Sequence, residues 1–93
     1  MMKTRIEDKL RRAFSPTFLE VKDTSYLHEG HAGHSGKGES HFNITIVSPL
    51  FSHVNRVQRH RQVYDCLANE LKKEIHALQL TTLCPEEGLP AAE

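Results

Sequence analysis

The sequence predicts an α+β fold with element order α-β-β-α-β, closing on one further helical turn: a three-stranded mixed sheet covered on one face by helices. Three observations predict it. Two stretches carry apolar residues at a spacing of three to four, the helical period, and three others alternate apolar with polar residues, the period of a half-buried strand. The third is length: 93 residues suffice for one domain and little more.

The first helix is expected to open at Thr4, whose spacing to Glu7 fits a capping box, with Ile6, Leu10 and Ala13 on its buried side. Ser15-Pro16 ends it, because the residue before a proline disfavours the α region. Thr17 to Lys22 reads as a strand, Leu19 and Val21 inward, Glu20 and Lys22 outward. Asp23 to Ser40, with Gly30, Gly33, Gly36 and Gly38, is a connection long enough to be functional or mobile. His41 to Val47 is the second strand, with Phe42, Ile44 and Ile46 on one face, and forms an antiparallel hairpin with the first. Asn55 to Glu74 reads as one long helix capped by Asn55, with Val57, Tyr64, Leu67 and Leu71 as its apolar stripe and Val63 beside it. His76 to Leu83 is the third strand, with Leu78, Leu80 and Thr82 on one face. Cys84-Pro85-Glu86-Glu87 starts a helical turn that Gly88 and Pro90 stop, leaving 88–93 as a frayed tail. Three strands with one apolar face need cover, which two amphipathic helices provide.

Lys and Arg total 12, as do Asp and Glu, so a purely electrostatic nucleic-acid binder is disfavoured. Cys66 and Cys84 lack the spacing of a redox or zinc motif, and a secreted domain of this size usually carries more cysteines. Both read as reduced thiols in a cytoplasmic setting, Cys66 beside the apolar stripe as a core residue. No stretch approaches the length of a membrane span. No apolar secretion core precedes the domain, and Glu7-Asp8 interrupts what would otherwise resemble a basic transit peptide.

Chemistry-bearing residues are few. His28, His31 and His34 recur every third residue in the glycine-rich connection, and His41 opens the next strand. Imidazole is a common transition-metal ligand, so this loop either wraps an ion or is a solvated segment with adventitious metal affinity. Arg59 and Arg61 flank His60 near the start of the long helix; His60 falls on the apolar stripe as a half-buried structural residue, leaving the arginines facing outward toward phosphate or an acidic partner. His76 sits where helix gives way to strand; by itself it reads as a structural residue, though that position leaves one ring nitrogen free to reach outward. Gly30-x-x-Gly33 and Gly33-x-x-Gly36 match the RNA-clamping loop of KH domains in spelling only, since that loop joins two helices and this one two strands. Gly36-Lys37-Gly38 lacks the hydroxyl residue of a phosphate-binding loop. No nucleophile with an adjacent base and no paired carboxylates appear, so an enzyme is not expected.

Glu39-Ser40-His41-Phe42, Arg59-His60-Arg61 followed by Leu67-Ala68-Asn69-Glu70-Leu71, and Ile75-His76-Ala77-Leu78 stand in the order of BolA-family motifs, and Ile6-Glu7-Asp8-Lys9-Leu10 and Leu19-Glu20-Val21 also fit. Over about residues 3–87 the chain resembles that family. The resemblance implies a class II KH-like core without the clamp loop, in a single domain. It implies pairing with a monothiol glutaredoxin around a [2Fe-2S] cluster held by the glutaredoxin cysteine, glutathione and ligands from this chain, with no cluster in the free protein. The family ligand of the "HAL" motif maps to His76. The second maps to His28, with His31 and His34 as alternates because this loop is longer than the family's usual one. Bacterial members are described as transcriptional regulators of stress response and morphology, and the DNA contacts credited to them map to Arg56, Arg59 and Arg61. Where the family usually continues with Trp after the acid pair, this chain has Gly88. The resemblance thus implies an adaptor whose partners are a monothiol glutaredoxin and, as a second class, DNA, with no membrane and a free form that is a monomer or weak dimer.

The physical reading is compatible with a cluster. Neutral imidazole suits iron, and replacing thiolate by histidine raises a cluster's potential. Three readings separate by experiment: a cluster spectrum dependent on His76, salt-dependent DNA affinity dependent on the arginines, or zinc and nickel buffering by the loop without a partner.

Overall fold

The structure, a computed structural model, describes residues 2–24 and 41–87. Helix α1 spans Met2–Phe14, strand β1 Phe18–Asp23, strand β2 His41–Val47, helix α2 Arg56–Cys66, helix α3 Ala68–Lys73 and strand β3 Ala77–Leu83, with 3₁₀ turns at Pro49–Phe51 and Pro85–Glu87. The sheet order is β1-β2-β3. β1 pairs antiparallel with β2, Phe18 opposite Val47 and Asp23 opposite Phe42. β3 lies parallel to β2, His41 opposite Ala77 and Val47 opposite Leu83. A parallel return needs a crossover, which α2 and α3 provide. The predicted α+β architecture with a mixed sheet is the one observed.

The core forms between the helices and one sheet face. α1 contributes Met2, Ile6, Leu10 and Phe14, spaced by four, against Val21, Phe42, Ile44 and Ile46 of the sheet. Fully burying one such aliphatic side chain stabilises the fold by about 1.5–3 kcal/mol. The helix starts two residues before the expected Thr4 cap, and Phe14, not the exposed Ala13, completes its buried face. At its end, the buried Ser48 hydroxyl donates to Phe14 O at 2.6 Å and accepts from Leu50 N–H at 3.1 Å, tying helix to sheet.

The long helix departs most from expectation. Asn55 caps it as predicted, its Oδ1 accepting from Gln58 N–H at 2.9 Å. However, the helix bends at Leu67 into two pieces; Leu67 N–H still reaches Val63 O, at 3.0 Å. Its buried face is Arg59, Val63, Leu67 and Glu70. Val57 and Tyr64 are 62% and 39% exposed. Of the apolar stripe read from the sequence, Leu67 and the neighbouring Val63 are buried and Leu71 packs against the core, whereas Val57 and Tyr64 turn outward because charged residues hold two of the four buried positions.

Candidate functional site

The two ends of the sheet are built differently. At the end where β2 and β3 begin, His76 sits on the link between α3 and β3, exposed. His41, half-buried, starts β2. Parallel pairing of His41 with Ala77 sets the two imidazoles side by side, ring centroids 6.1 Å apart at 58°. That separation is about 1 Å more than the roughly 5 Å between ring centroids of two imidazoles on one metal. Among the described residues no group of three or more His, Cys, Asp or Glu is gathered to hold an ion. His28, His31 and His34 lie outside the described residues.

The link bearing His76 is braced from α1. Glu70 is buried, and its carboxylate accepts from Lys9 Nζ at 2.9 Å with Arg5 at 3.9 Å. Arg5 also reaches Glu74 at 3.2 Å. Burial by itself would raise the Glu70 pKa; the Lys9 hydrogen bond, a backbone hydrogen bond and the nearby cations outweigh it, so the group lies below the usual carboxylate range. The Glu70 carbonyl accepts from both Glu74 N–H and Ile75 N–H, closing α3 one residue before His76.

At the opposite end, Arg59 is 7% exposed. Its Nε donates to Val54 O at 2.7 Å, its Nη1 to Thr82 O at 3.0 Å and to Glu87 Oε1 at 2.8 Å, and its guanidinium lies 5.9 Å from the centroid of the Phe51 ring. The expected outward orientation of Arg59 is therefore corrected: it faces inward because three oxygens and an aromatic face enclose it. Arg56 and Arg61 are exposed, as expected. His60 is half-buried, as expected, and its Nε2 has no hydrogen-bond partner among the described residues. The Arg59 hydrogen bond first, then one from Cys84 N–H, draws the Glu87 pKa down to about 2. Cys84 is buried, and Cys66, half-buried, has its thiol pKa pushed up by burial despite nearby Lys9, so neither reads as a reactive nucleophile. The Pro85–Glu87 turn is the expected terminal helical turn, held by Arg59 and by Ser52 Oγ donating to Glu86 Oε1 at 3.0 Å.

The family model described as BolA-like protein matches residues 10–87. The chain belongs to the BolA family. It is 47% identical over 87 residues to the Escherichia coli protein named DNA-binding transcriptional regulator BolA, covering 94% of this chain and 79% of that one. It is 46% identical over 87 residues to SufE-like protein 1, chloroplastic/mitochondrial, of Arabidopsis thaliana; the match covers 89% of this chain but only 24% of that longer protein. The solved BolA domain of SufE1 from Arabidopsis thaliana superposes with a TM-score of 0.82 at 45% identity, covering 91% of this chain and 93% of the domain. Among the described residues no helix is long and apolar enough to cross a membrane.

Sequence reading did not anticipate one neighbour of His76. His41 was noted at its strand start but not paired with His76, which follows it by 35 positions. Only the parallel register of β2 with β3 brings the two together. Three alternating segments with a helix between the second and third permit that register without fixing it.

Proposed function

We propose that this chain is an adaptor for iron–sulfur trafficking or sensing that pairs with a monothiol glutaredoxin. In the pair a [2Fe-2S] cluster is held by the glutaredoxin cysteine, glutathione and two imidazoles of this chain. His76 is the principal ligand. The second comes from the connection before β2, His28 by its place in the family motif, with His31 and His34 as alternates. The bound cluster supplies one-electron redox chemistry and transferable iron. The single observation that carries the reading is the exposed His76 on a braced link, with His41 6.1 Å from it. A partner supplying thiolates makes up a ligand set that two imidazoles alone leave short. The test is anaerobic reconstitution with a monothiol glutaredoxin and glutathione, comparing wild type with His76→Ala, His28→Ala and His41→Ala. The visible cluster absorption is expected to be lost or altered in His76→Ala. A spectrum unchanged from wild type in both His76→Ala and His28→Ala would remove the ligand assignment.

A second reading, transcriptional regulation through DNA binding, draws support from the name carried by the Escherichia coli relative. Here Arg56 and Arg61 are its candidate contacts, because the Arg59 guanidinium is already engaged within the fold. A salt titration of DNA affinity checks it: each lost phosphate contact is expected to flatten the logarithmic salt slope by about 0.9. A slope unchanged in the Arg56→Ala, Arg61→Ala double variant would exclude these residues.

A further inference from the structure

Arg59 is enclosed from two sides that are anchored differently. On one side stand Val54 O, Thr82 O and the Phe51 ring, with Thr82 and Phe51 buried in the fold. On the other stands the Pro85–Glu87 turn, none of whose residues is buried. Polar contacts hold that turn down. Glu87 Oε1 accepts from Arg59 Nη1 at 2.8 Å and from Cys84 N–H at 2.9 Å, and Glu86 Oε1 accepts from Ser52 Oγ at 3.0 Å. One backbone bond, Glu87 N–H to Cys84 O at 2.9 Å, closes it. The paired side chains are unequally exposed, 9% for Arg59 and 43% for Glu87. The carboxylate thus lies on the solvent side of a guanidinium that is otherwise sealed.

We propose that Arg59 is the floor of a phosphate-binding site that this acidic turn closes, with Glu87 holding the place of the phosphate. Three features select that ligand. A guanidinium takes an oxyanion through two parallel N–H bonds, and lifting Glu87 releases one N–H of Nη1, while Nη2 donates to none of the described residues. The bonds to Val54 O and Thr82 O do not involve the turn, so the fork keeps its orientation when the turn leaves. Arg56, exposed and three residues earlier on α2, adds a second cation one helical turn away. The closed state is the resting one. Glu87, its pKa drawn down to about 2 by Arg59 first, is ionised throughout the neutral range, so a competing anion must displace it. Free phosphate and a nucleic-acid backbone both carry the group. In the second case the turn is an autoinhibitory contact, and that form of the proposal rests on the DNA reading above.

Glu87→Gln keeps the shape of the side chain and removes its charge. Asp65→Asn is the control, removing one exposed acid from α2 without touching Arg59. Inorganic phosphate is followed through the Arg59 Nε–H resonance, and duplex DNA through affinity over a salt series. In Glu87→Gln the resonance is expected to shift at phosphate concentrations about tenfold below those wild type needs. The logarithmic salt slope for DNA is expected to steepen by about 0.9 for the added contact. Adding Arg59→Lys is expected to cancel both gains, since an ammonium lacks the fork. An Arg59 resonance in Glu87→Gln that ignores phosphate would overturn the site. So would equal gains in Asp65→Asn, which mark a general effect of charge. Phosphate uptake without a steeper slope, in a chain that binds DNA through Arg56 and Arg61, would support the site and overturn its autoinhibitory role. Phosphate uptake with no DNA binding by any variant would support the site and overturn the DNA reading.

Discussion

The two ends of the sheet start from the same kind of residue and reach opposite outcomes. At one end a cationic side chain, Arg59, has three backbone or carboxylate acceptors within 3.0 Å and an aromatic ring alongside. At the other, the basic side chain of His76 stands exposed with a second imidazole as its near neighbour. Both belong to motifs that the sequence marks as candidates for chemistry. What separates them is the supply of oxygens: Arg59 meets the carbonyl-rich finish of β3 and an acidic turn, whereas His76 precedes the strand. A motif residue enclosed by partners holds the fold, and one left facing outward is available to another molecule.

The contrast can be broken at its stable end first. Arg59→Ala removes the charge facing Glu87 and leaves the Thr82 and Val54 carbonyls unpaired, and is expected to destabilise the domain by about 3 kcal/mol or more in urea unfolding. Arg59→Lys is expected to recover only part of this, since an ammonium cannot reproduce the fork. Ser48→Ala orphans Phe14 O and Leu50 N–H and is expected to cost about 1–2 kcal/mol by the same measurement.

Acid sharpens the comparison. Glu87 and Glu70 have pKa values below the ordinary carboxylate range in the folded chain, Glu87 at about 2. A depressed folded-state pKa contributes stability that is fully present above the unfolded value and is lost as pH falls toward the folded one. Unfolding midpoints are therefore expected to hold steady above about pH 5 and to fall between there and about pH 2. Glu87→Gln is expected to show a smaller fall over that window; an equal fall would mean that the Arg59 pairing adds nothing. The smallest effect is at the other end: His76→Ala is expected to shift stability by no more than about 0.5 kcal/mol, while abolishing or altering the cluster spectrum. A large loss of stability in His76→Ala would place that residue with Arg59 as part of the scaffold.

Much of the fold was legible in the sequence because its strands obey a two-residue period cleanly: β2 was bounded to the residue, and the Asn55 cap was visible in its spacing to Gln58. The helical phase after Arg56 was legible at Val63, Leu67 and Leu71 but not before them, since a reading based on hydrophobicity has no means of burying Arg59 and Glu70. Their burial depends on Glu87, Lys9 and Arg5, which lie far away in sequence. The candidate site was half legible. His76 is singled out by its place in a family motif, since a lone junction histidine by itself reads as structural, and its proximity to His41 is a property of strand register. The loop histidines fall outside the described residues, and sequence alone nominates them.

The hydroxyl of Tyr64 and the fork of Arg59 have a consequence for the outer border of β3. Reaching down from α2, they occupy the outward carbonyls of Leu78 and Thr82, acceptors that an added strand would need. Side chains rather than a further strand thereby blunt that border against edge-to-edge pairing.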